Sequence, residues 1–469
     1  MTMDEEGRAP VEIVSGRDER TRLPSWRWEA LRTTFWLVPT ILIVVAGMLF
    51  FATFEVDWAA FHGNLVLPDW VRAGSADAGR EILIAIAAAV ITVIGVVFSI
   101  TILALTLASQ QFGPRMMRNF VRDVGNQVTL GVFVGTFVYS VLALVSIGSD
   151  PHGKFVPHLS ITVAEALLLV DIAVLIYFIH HIAKSIQLPQ VIAGIARDLT
   201  RAIDAEFPET LARTRRTEAL DSGRTVPELL QLIDERGGAV LASVSGYLQF
   251  VGYAQLVEIA CRTDAVIRLE HRPGHFIVAE HRLATVFPRG AAEQVAQHLA
   301  KAHVTGPHRT LMQDPVFAID QLVEIAIRAL SPAVNDTFTA LTCIDWLSAG
   351  LSRVSGRVLE EGVYRDRYGR VRLIESDPSY SRMVNRAFDK VRQAARGMPA
   401  VIIRMIDSLS SIVAETTSSD QRQVLARQAL MILQNAEDSV PEPHDTEDIR
   451  HRYERLIEAI ERRDAPDGA

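Results

Sequence analysis

The stretch that decides the fold is Ile82–Ala108, ILIAIAAAVITVIGVVFSITILALTLA. It contains no charged residue. As a helix it is about 40 Å long at ~1.5 Å per residue, more than the roughly 30 Å of a bilayer's hydrocarbon core, so it must tilt or project beyond the lipid. Upstream, Thr34–Phe54 reads TFWLVPTILIVVAGMLFFATF, again without a charge. Downstream, Val128–Ile147 reads VTLGVFVGTFVYSVLALVSI, and Ile161–Ile179 is apolar except for Glu165 and Asp171. Four spans are predicted, near 34–54, 82–108, 128–147 and 161–181. A cleaved signal peptide does not fit the first run, which starts well inside the chain and is followed by three more.

The whole chain agrees with this reading. It has 469 residues, 49% of them hydrophobic and 22% charged, with a mean hydropathy of +0.20. Only two cysteines occur, Cys261 and Cys343, which excludes a disulfide framework and a Cys-rich metal centre. A formal net charge of -8 gives no basic footprint for nucleic acid.

Orientation follows from the flanking Lys and Arg residues. Arg8, Arg17, Arg20, Arg22, Arg27 and Arg32 precede the first span. Arg115, Arg118 and Arg122 follow the second, and Lys184 follows the fourth, whereas Lys154 is the sole cation of the third loop. The alternation predicts both termini in the cytoplasm of a bacterium, with the protein in its inner membrane. Trp36, Trp58, Phe61 and Trp70 suit an aromatic belt at the interfaces.

Lipid-like composition ends near Gln187, and Pro189 marks the break. A helix over Gln190–Phe207 makes a stalk. Strand character follows at Ala239–Val251, Ala265–Glu270, His275–Val278 and Arg282–Phe287, with a short helix at Ala254–Arg262. The segment VIRLEHRPGHFIVAEHRLATVF resembles the hairpin of biotinyl/lipoyl-like barrels, but without a Met-Lys-Met there is no attachment site, so it is read as a small β-module only. Helices are predicted over Ala291–His303, Pro315–Leu330, Thr337–Val354, Ser379–Arg396, Met398–Thr416, Asp420–Asn435 and Thr446–Arg462. A hairpin with Tyr368-Gly369 at its turn interrupts them at Gly362–Glu375.

The fold class is therefore a mainly α membrane protein: four transmembrane helices plus a large α-rich cytoplasmic domain with a small β-module. The domains run 1–33 (cytoplasmic tail), 34–186 (transmembrane), 187–306 (stalk and mixed module) and 307–469 (helical, with the hairpin near 362–375).

Three long pieces carry a family resemblance. They are SITILALTLASQQFGPRMMRNFVRDVGNQVTLGVFVGTFVYSVLAL (Ser99–Leu144), YFIHHIAKSIQ (Tyr177–Gln187) and QDPVFAIDQLVEIAIRALSPAVNDTFTALTCID (Gln313–Asp345). Together they resemble the domain-of-unknown-function 2254 family of bacterial predicted membrane proteins. The resemblance implies a bacterial inner-membrane protein of the same layout and brings no activity or catalytic residues with it. Ala333 and Thr337 depart from the pattern, standing where a Gly-like and a Pro-like residue are expected.

Candidate functional residues fall in four groups. In the second span, Ala88, Thr92, Gly95, Ser99 and Thr106 share one helix face. A small, weakly polar stripe either lets helices pack closely or lines a pore on the axis of an oligomer. In the fourth span, Asp171 is an acid deep in the membrane, expensive unless paired, hydrated or protonated; hydrogen bonding to Thr136 or Tyr139 is its structural alternative. At the inner interface, Arg115, Arg118 and Arg122 form a basic face for anionic lipid, and His180, His181 and Lys184 line the end of the fourth span, with Tyr177 and His181 paired at i,i+4. In the cytoplasmic half, Arg309, Gln313, Asp314, Gln321, Asn335 and Asp336 make either a ligand pocket or a set of caps and ion pairs.

No P-loop, dinucleotide fingerprint, nucleophile elbow or kinase motif is present, and no metal or cofactor is expected. The sequence points to a non-enzymatic, channel-like homo-oligomer in the lipid bilayer, passing a small solute or ion under control of its cytoplasmic domain. The alternative is a membrane-anchored sensor or scaffold that binds a ligand or partner protein without transport.

Overall fold

The computed structural model describes residues 36–63, 65–71, 74–112, 123–150, 153–207, 224–357, 362–375 and 380–464. The predicted basic face Arg115, Arg118 and Arg122 lies outside the described residues. The chain divides into two compact units, Ser25–Val191 and a second formed mainly by Ile192–Ala469.

The first unit holds four helices long and apolar enough to cross a membrane: α1 (Leu37–Phe61), α2 (Ala76–Phe112), α3 (Val124–Ser146) and α4 (His158–Ser185). Helix α2 has 37 residues, about 55 Å at ~1.5 Å per residue, so it overruns a bilayer as its sequence predicts. A short antiparallel pair, β1 (Gly148–Asp150) and β2 (Gly153–Phe155), turns the chain between α3 and α4. Phe155 of β2 is packed edge-on by Phe54, Trp58 and Phe61 of α1. Trp36 and Trp70 stay exposed, as an interfacial belt requires.

Helix α3 is the centre of this bundle. Its Gly131 and Gly135 let α1 approach closely: a β-carbon at Gly131 would lie 3.0 Å from Pro39 Cα, and one at Gly135 would lie 3.3 Å from Ala46 Cβ. A small residue four positions from another is what close packing in lipid needs, because dispersion and not water exclusion holds such helices together. Phe133, Tyr139 and Ala143 fill the same core beside Phe50, Leu83, Ile161 and Phe178.

The second unit opens with α5 (Leu188–Glu206), which packs on α10 (Thr337–Ser355) through Leu199 and Ile203 beside Gly350. Arg357 locks the end of α5 by donating to the carbonyls of Ile203 and Phe207 and to Asp204. Between them lies the β-module: α6 (Val226–Arg236), β3 (Gly238–Leu241), β4 (Gly246–Val251), α7 (Tyr253–Arg262), β5 (Val266–Leu269), β6 (Phe276–Ile277), β7 (Arg282–Phe287), α8 (Ala292–Leu299) and β8 (His303–Gly306). The helical part comprises α9 (Pro315–Ala329), α10, α11 (Tyr380–Ala394), α12 (Pro399–Glu415), α13 (Ser419–Glu437) and α14 (Pro443–Asp464), with β9 (Val363–Arg365) and β10 (Val371–Ile374) inserted after α10.

Two sheets form, in the orders β3-β7-β5-β10-β9 and β6-β4-β8. This corrects the expected barrel-type hairpin. The strands on either side of Arg272-Pro273-Gly274 do not pair: β5 pairs with β7 and β10, and β6 pairs with β4. The loop between them is thus a crossover between sheets. The hairpin at 362–375 does form, with Gly369 in the left-handed region at φ 77°. Its strand β10 runs parallel to β5, so a segment embedded among helices completes the sheet of the preceding module. The predicted helix Ala291–His303 is shorter than expected, because His303 leaves it to pair with Val251.

Candidate functional site

The buried polar residues of the membrane unit gather on α3 and the helices around it. Asp171 sits at the middle of α4, about 20 Å from either end at ~1.5 Å per residue, and is only 3% exposed. Its Oδ1 accepts from Thr136 Oγ1 of α3 at 3.0 Å; its Oδ2 has no hydrogen-bond partner. Towards the start of α3, buried Asn126 Oδ1 and Thr129 Oγ1 are also unpartnered. Unsatisfied polar atoms in a low-dielectric interior are costly, and these three lie on α3 and on the α4 residue bonded to it.

A second network ties the other end of the bundle. Pro157, at the N-cap of α4, offers no side-chain acceptor. Asp57 of α1 replaces it, accepting from Leu159 N at 2.7 Å, Ser160 N at 2.9 Å and Ser160 Oγ at 2.7 Å. Ser160 Oγ also lies 3.1 Å from Thr53 Oγ1, which is 2.8 Å from Tyr139 OH. Asp57, Ser160, Thr53 and Tyr139 thereby form a continuous hydroxyl–carboxylate chain across α1, α3 and α4. At the opposite end, His181 Nε2 meets Asp123 Oδ2 at 2.8 Å, while the Asp123 Oδ1 caps α3 through Gly125 N at 2.7 Å.

The predicted stripe on α2 lies elsewhere. Thr92, Gly95, Ser99 and Thr106 are exposed on the outside of this bundle. Each hydroxyl donates to its own helix: Thr92 to Ala88 O at 2.7 Å, Ser99 to Gly95 O at 2.8 Å and Thr106 to Ile102 O at 2.9 Å. A β-carbon at Gly95 would touch nothing. The close approach of α1 to α3 is at Gly131 and Gly135, and the α2 stripe is exposed in this unit. His180 and Lys184 are exposed, and Tyr177 stacks on His181 with ring centres 5.4 Å apart.

In the second unit, the polar set predicted from sequence separates by role. Asp336 caps α10, accepting from Thr339 N at 3.1 Å, and Asn335 before it adopts φ 49°. Gln313 acts as a surrogate strand, exchanging hydrogen bonds with Val251 N and Val251 O. Gln321 is buried in α9 with Oε1 unpartnered. Arg309 binds Asp314 at 2.8 Å through Nε and also reaches Asp320, which Arg386 of α11 holds from the other side. Asp314 is almost fully buried; burial pushes its carboxyl up, against the pull of the Arg309 and Arg272 charges.

Next to this pair, two arginines converge on one imidazole. Arg272 Nε lies 3.3 Å and Arg382 Nη1 3.2 Å from His275 Nε2. Burial, reinforced by Arg272, Arg382, His271 and Arg309, drives the His275 pKa down from 6.5 to about 4, so the ring is neutral and Nε2 is an acceptor. Gly274, at φ 90°, brings this loop so close to Asp314 that a β-carbon there would collide with the carboxylate. Among the described residues no group of three His, Cys, Asp or Glu side chains could hold a metal ion.

The family model described as "Predicted membrane protein (DUF2254)" matches residues 32–411. The chain belongs to this family. Among the similar proteins are the uncharacterized protein Mb1321c of Mycobacterium bovis and the uncharacterized protein Rv1290c of Mycobacterium tuberculosis. Each is 32% identical over 398 residues, covering 83% of this chain and 74% of the relative. No solved structure matches significantly.

Within this DUF2254 protein, sequence reasoning singled out Asp171 and offered Thr136 or Tyr139 as its structural partner, of which Thr136 is the one bonded, but passed over Ser160, Thr53, Gly131 and Gly135 and gave Asp57 no role. The uncharged run Thr34–Phe54 ends before Asp57, so nothing in that run marks it. It also passed over Arg272, His275 and Arg382. Arg272 and His275 are three residues apart in one loop, but Arg382 lies more than a hundred residues further on and no motif joins them; only the folded chain brings it to them.

Proposed function

We propose that the protein is a conduit for a small cation, a proton in the simplest case, through an assembly of membrane units, with the second unit exerting control. The observation that carries this reading is Asp171: a nearly inaccessible carboxylate at mid-membrane, bonded on one oxygen to Thr136 and unpartnered on the other. An acid at that depth is expensive and usually serves an ion or proton pathway. Assembly into a homo-oligomer would cover the small face Ala88–Thr106 of α2, whose hydroxyls already bond to their own backbone and so tolerate a dry interface. Placement in a bacterial inner membrane with both termini in the cytoplasm is part of the proposal and rests on the Lys/Arg bias of the loops.

The test is flux in proteoliposomes of purified full-length protein, read with an internal pH dye. Wild type collapses an imposed proton gradient faster than empty vesicles do. Asp171→Asn lowers the rate at least tenfold, and Thr106→Trp changes it only if the α2 face borders the path. Wild-type flux no greater than in empty vesicles, or an unimpaired Asp171→Asn, removes the proposal. The second reading, a sensor or scaffold without transport, is favoured by the arginine cluster around His275 and predicts no flux at all.

A further inference from the structure

We propose that the seam between α3 and α4 is hydrated inside the membrane unit, with Asn126 and Thr129 as one polar station, Thr136 and Asp171 as the next, and the rings of Phe133 and Phe178 as the dry barrier between them. The service of this seam to a cation rests on the conduit proposed above; its hydration does not.

Three atoms ask for a partner that the surrounding side chains do not provide. Asn126 Oδ1, Thr129 Oγ1 and Asp171 Oδ2 have none, and all three residues are at most 5% exposed. Hydroxyls on the helices of this bundle turn back on the carbonyl four residues earlier, as those of Thr101 and Ser140 do at 2.8 Å. Thr129 forgoes that bond, and Thr136 gives its proton to Asp171 instead. Neither form of Asp171 is satisfied by Thr136 alone: a carboxylate lacks a donor or cation at Oδ2, and a carboxylic acid protonated there lacks an acceptor. Water both donates and accepts, and buried water resides where polar groups are otherwise unsatisfied.

The stations follow one another along the bundle. Asn126, Thr129, Phe133 and Thr136 recur at three and four residues, so they share a face of α3. One turn before Asn126 stands Asp123, paired with His181 of α4, both partly exposed. One turn beyond Thr136, Tyr139 begins the hydroxyl–carboxylate chain to Asp57. The widest gap on this face is from Thr129 to Thr136, about 10 Å along the helix. Phe133 stands inside that gap, and Phe178 stands two turns from Asp171 on the same face of α4. Both rings are buried in one apolar core. An apolar constriction of this kind holds back water and ions until it widens.

Cysteine accessibility tests this in the full-length protein in nanodiscs, on a background carrying Cys261→Ala and Cys343→Ala. The probe is the charged thiol reagent 2-(trimethylammonium)ethyl methanethiosulfonate, followed by mass spectrometry. Thr129→Cys is modified in the native protein, and Thr136→Cys at least tenfold more slowly. Adding Phe133→Ala speeds modification of Thr136→Cys at least tenfold. Val90→Cys, in the apolar core of α2, stays unmodified with and without Phe133→Ala, which separates an opened barrier from a loosened bundle. Protection of Thr129→Cys overturns the proposal, as does modification of Thr136→Cys at the Thr129→Cys rate. A Thr136→Cys rate indifferent to Phe133→Ala, or a Phe133→Ala effect shared by Val90→Cys, overturns it too. The readout is labelling and not flux, so the seam and the conduit fail separately. The expected labelling without proton flux in liposomes keeps the seam and removes the conduit; flux with Thr129→Cys protected does the reverse.

Discussion

Replacing Asp57 by Ala should release the start of α4 from α1. Three donors lose their acceptor at once: Leu159 N at 2.7 Å, Ser160 N at 2.9 Å and Ser160 Oγ at 2.7 Å. No local residue can replace it, because the N-cap position is Pro157. Side-chain hydrogen bonds inside membranes average ~0.6 kcal/mol, and bonds to a charged acceptor in proteins reach about 1.5 kcal/mol or more. Three such bonds give a loss of roughly 2–4.5 kcal/mol on these figures. At ~2–4 °C per kcal/mol for a domain of this size, the melting midpoint falls by roughly 5–15 °C. Asp57→Asn keeps acceptor oxygen and loses less than half as much. Ser160→Ala adds less to Asp57→Ala than it costs alone, because its Asp57 bond is already gone and only the one to Thr53 is left to lose. The assay is thermal unfolding in detergent, followed by tryptophan fluorescence, Trp58 being the residue next to Asp57. A midpoint for Asp57→Ala within about a degree of wild type, or equal losses for Asn and Ala, would refute trans-capping as the bond between these helices.

Three further outcomes are expected. Gly131→Ala destabilises the bundle by about 1–3 kcal/mol through overpacking against Pro39 and Leu42, whereas Gly47→Ala, with open space around it, is near neutral; detergent melting of both variants compares them directly. Asp366 accepts from Arg372 Nε at 2.9 Å and from Tyr368 N and Arg370 N, and these bonds outweigh burial to hold its carboxyl below 3.8. Asp366→Ala therefore costs about 3 kcal/mol by leaving buried Arg372 poorly paired. The same group contributes stability at neutral pH that is lost as pH falls below 3.8; urea unfolding of the variant and an acid titration of wild type measure the two effects. Burial pushes the Cys343 thiol up to about 12, so it resists maleimide at pH 8 until denaturant opens the second unit, and rapid native labelling located there by mass spectrometry would contradict its place in the core.

The helix content was legible because its signals are local. Uncharged runs place the middle of each of α1–α4, although α1 runs on to Phe61 and α2 begins at Ala76, both beyond the uncharged stretches, and apolar spacing at 3.6 residues places α9–α14 to within a few residues. Asp171 was legible for the same reason: an acid deep in a greasy run is conspicuous without any partner in view. Sheet membership was not. Strand period says that β5 and β6 are strands and nothing about their neighbours, and only the folded chain assigns them to different sheets and brings β10 across from the helical half.

The sequence by itself determined which segments enter lipid, since transfer from water depends on the composition of each segment alone. Only the tertiary structure decided which polar residues matter, because pairing depends on distance. It put Asp57 at the start of α4 and Thr136 against Asp171. It left the hydroxyls of α2 bonded to their own backbone. It also drew Arg272, Arg382 and His275 to one point from segments that share no motif.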